Sequence, residues 1–110
     1  MAAVISHAGL STITAALTAG VPLVCIPQGR DQPDNAKRVA ASGVGRVVAT
    51  DAPPGDIATA VRELLADPAA LREARRFAGA IAGLGGGDAA AQKVIRLAGA
   101  RAQDRALFTA

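Results

Sequence analysis

The chain has 110 residues, 51% hydrophobic and 19% charged, with a formal net charge of +3 and a pI of about 10.0. That is room for one domain, and the balance is globular, which excludes a disordered polymer. Aromatics are only 2% of the chain, so the basic charge comes without stacking side chains, and no nucleic acid partner is expected.

No apolar run approaches membrane-spanning length, and no basic segment followed by a long apolar stretch marks a secretion signal. The single cysteine, Cys25, lies in the apolar run Leu23-Val24-Cys25-Ile26. It cannot form an internal disulfide, and a buried thiol in a reducing, cytoplasmic setting is expected.

Ala2–Ser6 reads as a short first strand, either a sheet edge or a cut end. Ser11 or Thr12 can cap the helix that follows, in which Ile13, Ala16 and Leu17 recur at helical spacing. Gly20 suits the left-handed position just past that helix, and Pro22 prevents its continuation. Val21–Ile26 is apolar throughout, as a parallel strand covered on both faces should be. Pro27 ends it. Asp31 or Gln32 opens a second helix, with Pro33 tolerated in the first turn. It runs to about Ser42 with Ala36, Val39 and Ala40 inward, and Gly43 stops it.

Arg46–Ala49 is a third strand, and Asp51–Gly55 a turn. Asp56–Ala66 is an amphipathic helix with an apolar stripe of Ile57, Val61, Leu64 and Leu65. Asp67 and Pro68 then restart the chain as a cap and a first-turn proline. The next helix, to about Ala82, turns Leu71, Ala74, Phe77 and Ile81 inward and leaves Arg72, Arg75 and Arg76 on a solvated face. Gly83–Gly87 is a breaker; no strand presents it and no lysine follows in phosphate-loop spacing. Asp88 caps a last helix from Ala89 to about Ala98, and the remaining residues form a frayed tail.

The pattern is α/β: three short parallel strands with flanking helices and a helical C-terminal tail. Ligands in such sheets sit at the carboxyl ends of the strands. Two β-to-α junctions there carry nearly all the chemically capable side chains. His7 opens the first, near the amides of a helix start, where an imidazole and backbone donors together suit a phosphate. Ser11 and Thr12 add hydroxyls there. Asp31 and Gln32 follow the second strand and offer acceptors and amide donors to a polyhydroxylated ligand. Asn35 is placed to tie the second helix to this loop. A structural histidine, simple caps and a surface amide are the bland alternatives. One His and one Cys make no metal site. Asp31 and Asp34 could hold a hard cation only with help from phosphates, and no metal is expected. No serine sits in an elbow motif, so a nucleophilic triad is not expected.

His7-Ala8-Gly9-Leu10-Ser11-Thr12, Ala19-Gly20-Val21-Pro22, Pro27-Gln28-Gly29-Arg30-Asp31-Gln32 and Asn35-Ala36 stand in order. Together they resemble the donor-binding signature of nucleotide-sugar-dependent glycosyltransferases of the bacterial antibiotic and macrolide type, akin to the UDP-glycosyltransferases. The resemblance runs from about Val4 to Val48, and Leu64–Pro68 and the Ala-rich last helix extend it. It implies the GT-B fold, in which two Rossmann-like domains face each other across a cleft. Residues 1–98 then form the C-terminal part of a Rossmann-like domain, followed by a tail over 99–110.

The implied donor is a UDP-sugar or dTDP-sugar, with no other cofactor. His7 would contact its diphosphate and stabilise the leaving group without acting as base. Ser11, Thr12 and nearby amides would hold phosphate oxygens, Gly9 would allow close backbone approach, and Asp31 and Gln32 would bind sugar hydroxyls. The implied reaction is inverting transfer to an acceptor hydroxyl.

Two departures bear on this. Ala15 stands where many relatives have a glutamate that holds the ribose, which leaves the base open. The base and acceptor pocket of such enzymes belong to an N-terminal domain that these residues do not contain. The chain is therefore expected to be inactive alone and to pair with that domain or with itself. A catalytically silent structural module, or a small phosphate- or nucleotide-sugar-binding protein, remains the alternative.

Overall fold

In the computed structural model, residues 2–29 and 32–97 are described. Strands β1 (Val4–Ser6), β2 (Leu23–Cys25) and β3 (Gly45–Val47) form one parallel sheet in the order β1-β2-β3. Helix α1 (Leu10–Thr18) connects β1 to β2, and α2 (Gln32–Ala41) connects β2 to β3. Helices α3 (Pro54–Leu65) and α4 (Pro68–Gly83) follow, and a further helical run covers 87–97.

The sheet is central because β2 is covered on both faces. Its three residues are fully buried, and their side chains alternate in direction, as strand geometry requires. Leu23 and Cys25 join Ile13 and Leu17 of α1, Ala36 and Val39 of α2, Phe77 and Ile81 of α4, and Ile95. Val24 points to the other face, where it packs with Val48, Ala60 and Leu64 of α3, and Ala70. The layers are thus unequal: several helices cover one face and α3 covers most of the other.

The stops behave as the residues dictate. Gly20 takes φ +73, its N–H bonds the Leu17 carbonyl, and Val21 N–H reaches back to that of Ala16. This pair of bonds ends α1 in a Schellman turn, and Pro22 lies just beyond. Asp67 caps α4, accepting from Ala69 N at 3.0 Å and Ala70 N at 3.3 Å, with Pro68 in the first turn.

Several expected boundaries shift. Each strand is three residues long. The expected strand residues Ala2-Ala3, Val21-Pro22, Ile26 and Val48-Ala49 lie outside the strands, and β3 begins at Gly45. Helix α3 starts at Pro54 rather than Asp56, because a proline with fixed φ is already suited to the first helical position. In α2 the inward face is Asn35, Ala36 and Val39, and Ala40 is exposed. In the helices after β3, Ile57, Val61, Leu65 and Leu71 are half-buried, while Leu64, Ala74, Phe77 and Ile81 are buried as expected, joined by the small Ala60 and Ala70. Asp88 falls inside the run that begins at 87 rather than ahead of it. The tail expected over 99–110 lies outside the described residues.

Candidate functional site

The carboxyl ends of β1 and β2 lie side by side, since Ser6 pairs with Cys25. Each strand leads directly into a loop and a helix start, so the two junctions form one shelf. Three long-range hydrogen bonds lace it. His7 Nδ1 lies 3.3 Å from the Ile26 carbonyl oxygen. Asn35 Nδ2 donates to the Ala8 carbonyl at 3.0 Å. Thr50, just after β3, donates its hydroxyl to the Pro27 carbonyl. The third junction therefore braces the second, and the second braces the first.

The first loop has an unusual backbone. Ala8 is fully buried and adopts φ +71, the sole non-glycine residue with positive φ among the described residues. For an alanine this region costs about 1–2 kcal/mol. The residue is clamped from both sides, because its N–H donates to Ser6 Oγ at 3.0 Å and its carbonyl accepts from Asn35. Strain held by its surroundings in this way is characteristic of functional loops.

Helix α1 starts two or three residues earlier than the hydroxyls of Ser11 and Thr12 imply. Gly9 occupies the N-cap in extended geometry (φ −67, ψ 141), and no side chain caps the helix. Ser11 and Thr12 are exposed residues of the first turn, so their expected capping role is not realised. The first intrahelical bond runs from Ile13 N to the Gly9 carbonyl at 3.1 Å. The amides of Leu10, Ser11 and Thr12 therefore have no acceptor within the helix, and they carry the positive end of its dipole. A Cβ built on Gly9 meets nothing within 4 Å, so the backbone here faces open space.

His7 is exposed beside this turn. Across the shelf, Gln32 opens α2 and its Oε1 accepts from Gln28 N at 2.8 Å. That bond closes the loop after β2 and leaves the amide N–H groups of Gln32 as what it can offer a ligand. Asp34 is exposed in the first turn of α2. Asp31 lies outside the described residues. Among the described residues no cluster of three or more His, Cys, Asp or Glu could hold a metal ion.

The structure thus brings His7, Gly9, Ser11, Thr12 and Gln32 to one edge of the sheet. Sequence reasoning missed the clamp residues Ser6 and Thr50. Ser6 reads as a strand end and Thr50 as part of a turn, and no local pattern marks hydrogen bonds to residues far along the chain. A groove lined by Phe77, Leu84, Val94 and Leu97, with Ala41–Gly43 at the end of α2, lies away from these loops.

A three-stranded parallel sheet wrapped by helices, with an uncapped helix start and a histidine at its carboxyl edge, is a Rossmann-like half-domain, and its relatives identify it as belonging to the C-terminal domain of a GT-B-type glycosyltransferase. Residues 1–97 match the family model described as erythromycin biosynthesis protein CIII-like, C-terminal domain, and the chain belongs to that family. It is similar to the NDP-glycosyltransferase YjiC of Bacillus licheniformis, 32% identical over 91 residues, which are 82% of this chain and 23% of the relative. Over 53 residues it is 51% identical to the vancomycin aglycone glucosyltransferase of Amycolatopsis orientalis, covering 48% of this chain and 12% of that one. Its fold is similar to that in the crystal structure of the glycotransferase of kitacinnamycin, with a TM-score of 0.72 and 33% identity over 86% of this chain and 25% of that one. The chain spans a quarter or less of the length of each of these three.

Proposed function

We propose that this chain is the nucleotide-sugar donor-binding portion of an inverting glycosyltransferase. The observation that carries the reading is the uncapped first turn of α1 at the carboxyl end of β1, with His7 fixed beside it. Three amides, a helix dipole and an imidazole converge where a diphosphate of a UDP-sugar or dTDP-sugar would lie. Ser11 and Thr12 add hydroxyl donors to the phosphate oxygens, and Gly9 lets the ligand approach the backbone. Asp31 and Gln32 bind hydroxyls of the transferred sugar.

In the reaction, the glycosyl carbon is attacked by an acceptor hydroxyl and the nucleoside diphosphate departs with its added negative charge. Donors already aimed at the diphosphate stabilise that charge without reorganising, an electrostatic contribution. His7 acts here as a donor to the leaving group, and it is the only histidine of the 110 residues. The base that deprotonates the acceptor is supplied by another domain. The 110-residue chain should therefore give no glycoside above a His7→Ala control when incubated with UDP- or dTDP-sugars and a flavonoid or macrolide panel. Mass spectrometry reads the product, and turnover above that control overturns the assignment of roles.

Binding should survive in the isolated chain at about millimolar affinity, as expected for a few contacts without base stacking. NMR titration with UDP, dTDP and their glucose conjugates should shift the amides of Gly9–Thr12. His7→Ala should weaken all four ligands. Asp31→Ala and Gln32→Ala should weaken only the sugar conjugates. Gly9→Ala fits the free fold, given its ordinary φ and open surroundings, yet should weaken every ligand by occupying the approach. A well-dispersed spectrum in which no ligand moves these amides would leave the structural-module reading in its place.

A further inference from the structure

We infer that Asn35 is a positioning residue that aims the Gly9 amide at the phosphate, an inference that rests on the donor-site reading above. Asn35 belongs to α2, on the second β-to-α unit, and its side chain is buried at 6% exposure. It reaches across to the first unit and donates to the Ala8 carbonyl at 3.0 Å. That carbonyl therefore points into the protein. The Ala8–Gly9 peptide is trans, so its N–H lies antiparallel to its C=O. Holding the carbonyl inward turns the Gly9 N–H outward, toward the mouth that the amides of Leu10, Ser11 and Thr12 also face. Among the described residues, Gly9 N donates to no backbone carbonyl.

The conformation needs this hold. Ala8 at φ +71 is in a region an alanine leaves readily, and relaxation toward negative φ would rotate the peptide. A rotated peptide would present a carbonyl oxygen to the anion in place of a donor. Ser6 Oγ fixes the other side of Ala8 by accepting its N–H, so Asn35 and Ser6 together set the residue. Of these two bonds, the one from Asn35 is made to the peptide that carries the Gly9 N–H. A purely structural asparagine would stabilise the core without controlling the direction of this one amide.

The test uses the 110-residue chain, UDP as probe, and NMR. Ala8 Cα and Cβ shifts report its backbone conformation without ligand, and the Leu23–Cys25 amides report the integrity of the sheet. Asn35→Ala should move Ala8 out of the left-handed region and weaken UDP about tenfold, with the sheet signals kept. Asn35→Asp retains the volume, loses the donor and tests the same bond if the alanine variant does not fold. Adding Ala8→Gly to either variant should recover much of the affinity, because glycine adopts positive φ at no steric cost.

Unchanged Ala8 shifts, unchanged UDP affinity, or a double variant as weak as the single one overturns the inference. If UDP fails to shift Gly9 in the unsubstituted chain, the donor-site reading falls. The Ala8 carbon shifts then decide alone whether Asn35 sets the loop.

Discussion

Among the described residues His7 is held by one hydrogen bond, and the direction of that bond limits what the ring can do. A carbonyl oxygen only accepts, so Nδ1 at 3.3 Å from the Ile26 oxygen carries the proton. The other ring nitrogen, Nε2, is left for a ligand. Cys25 shows the opposite environment. Burial in the sheet pushes its thiol from 9.0 up to about 11. The folded state thus keeps its proton over a range in which the unfolded chain loses it. Stability is unaffected below about pH 9, falls between about pH 9 and 11, and levels off above, for a total of about 2–3 kcal/mol. Urea unfolding of the parent and of Cys25→Ala across this range should show a slope in the parent that the variant lacks.

At the scale of elements, most of the punctuation is local chemistry. Gly20 with Pro22, Asp67 with Pro68, and the glycines from 83 to 87 end or begin helices for reasons contained in a few adjacent residues. Gly45 differs, since nothing around it in sequence announces a need for glycine. A Cβ there would overlap the Leu23 carbonyl oxygen and lie 2.7 Å from Val39 Cγ1. It is the point where β3 and α2 close onto β2. Gly45→Ala should therefore cost about 1–3 kcal/mol, as overpacking does, and lower the thermal midpoint. Gly55→Ala, within α3 and with nothing within 4 Å of its Cβ, serves as the control that should hold or slightly raise the midpoint.

At the scale of the whole molecule, the unequal covering of the sheet matters most. Ile5 lies in register with Val24 and so faces the α3 side, yet it is 56% exposed. Helix α3 packs chiefly on β2 and β3. An apolar residue on an edge strand with open backbone groups favours association with another surface. Ile5→Lys should leave the unfolding free energy within about 1 kcal/mol of the parent, because little apolar contact is lost. It should also shift the sedimentation profile of the 110-residue chain toward monomer. A parent already monomeric at micromolar concentration removes the basis for this expectation. No helix of the described residues is long and apolar enough to cross a membrane.

The sequence by itself determined the alternation of three strands with helices, because apolar periodicity and glycine or proline stops act over short stretches. It also placed His7, Gly9, Ser11, Thr12 and Gln32 at strand ends, which is where a parallel α/β chain must put its loops. It misassigned the cap of α1, since Ser11 and Thr12 are good capping residues in isolation. The extended Gly9 and the strained Ala8 bring the chain into the helix earlier. Strand lengths and the inward face of α2 were also settled by packing, as neighbouring elements decide how far a ladder extends and how a helix is rotated. The clamp on Ala8 was decided by tertiary structure alone. Ser6 and Asn35 become its partners only when two β-to-α units lie side by side, and no local pattern encodes the direction of a peptide plane.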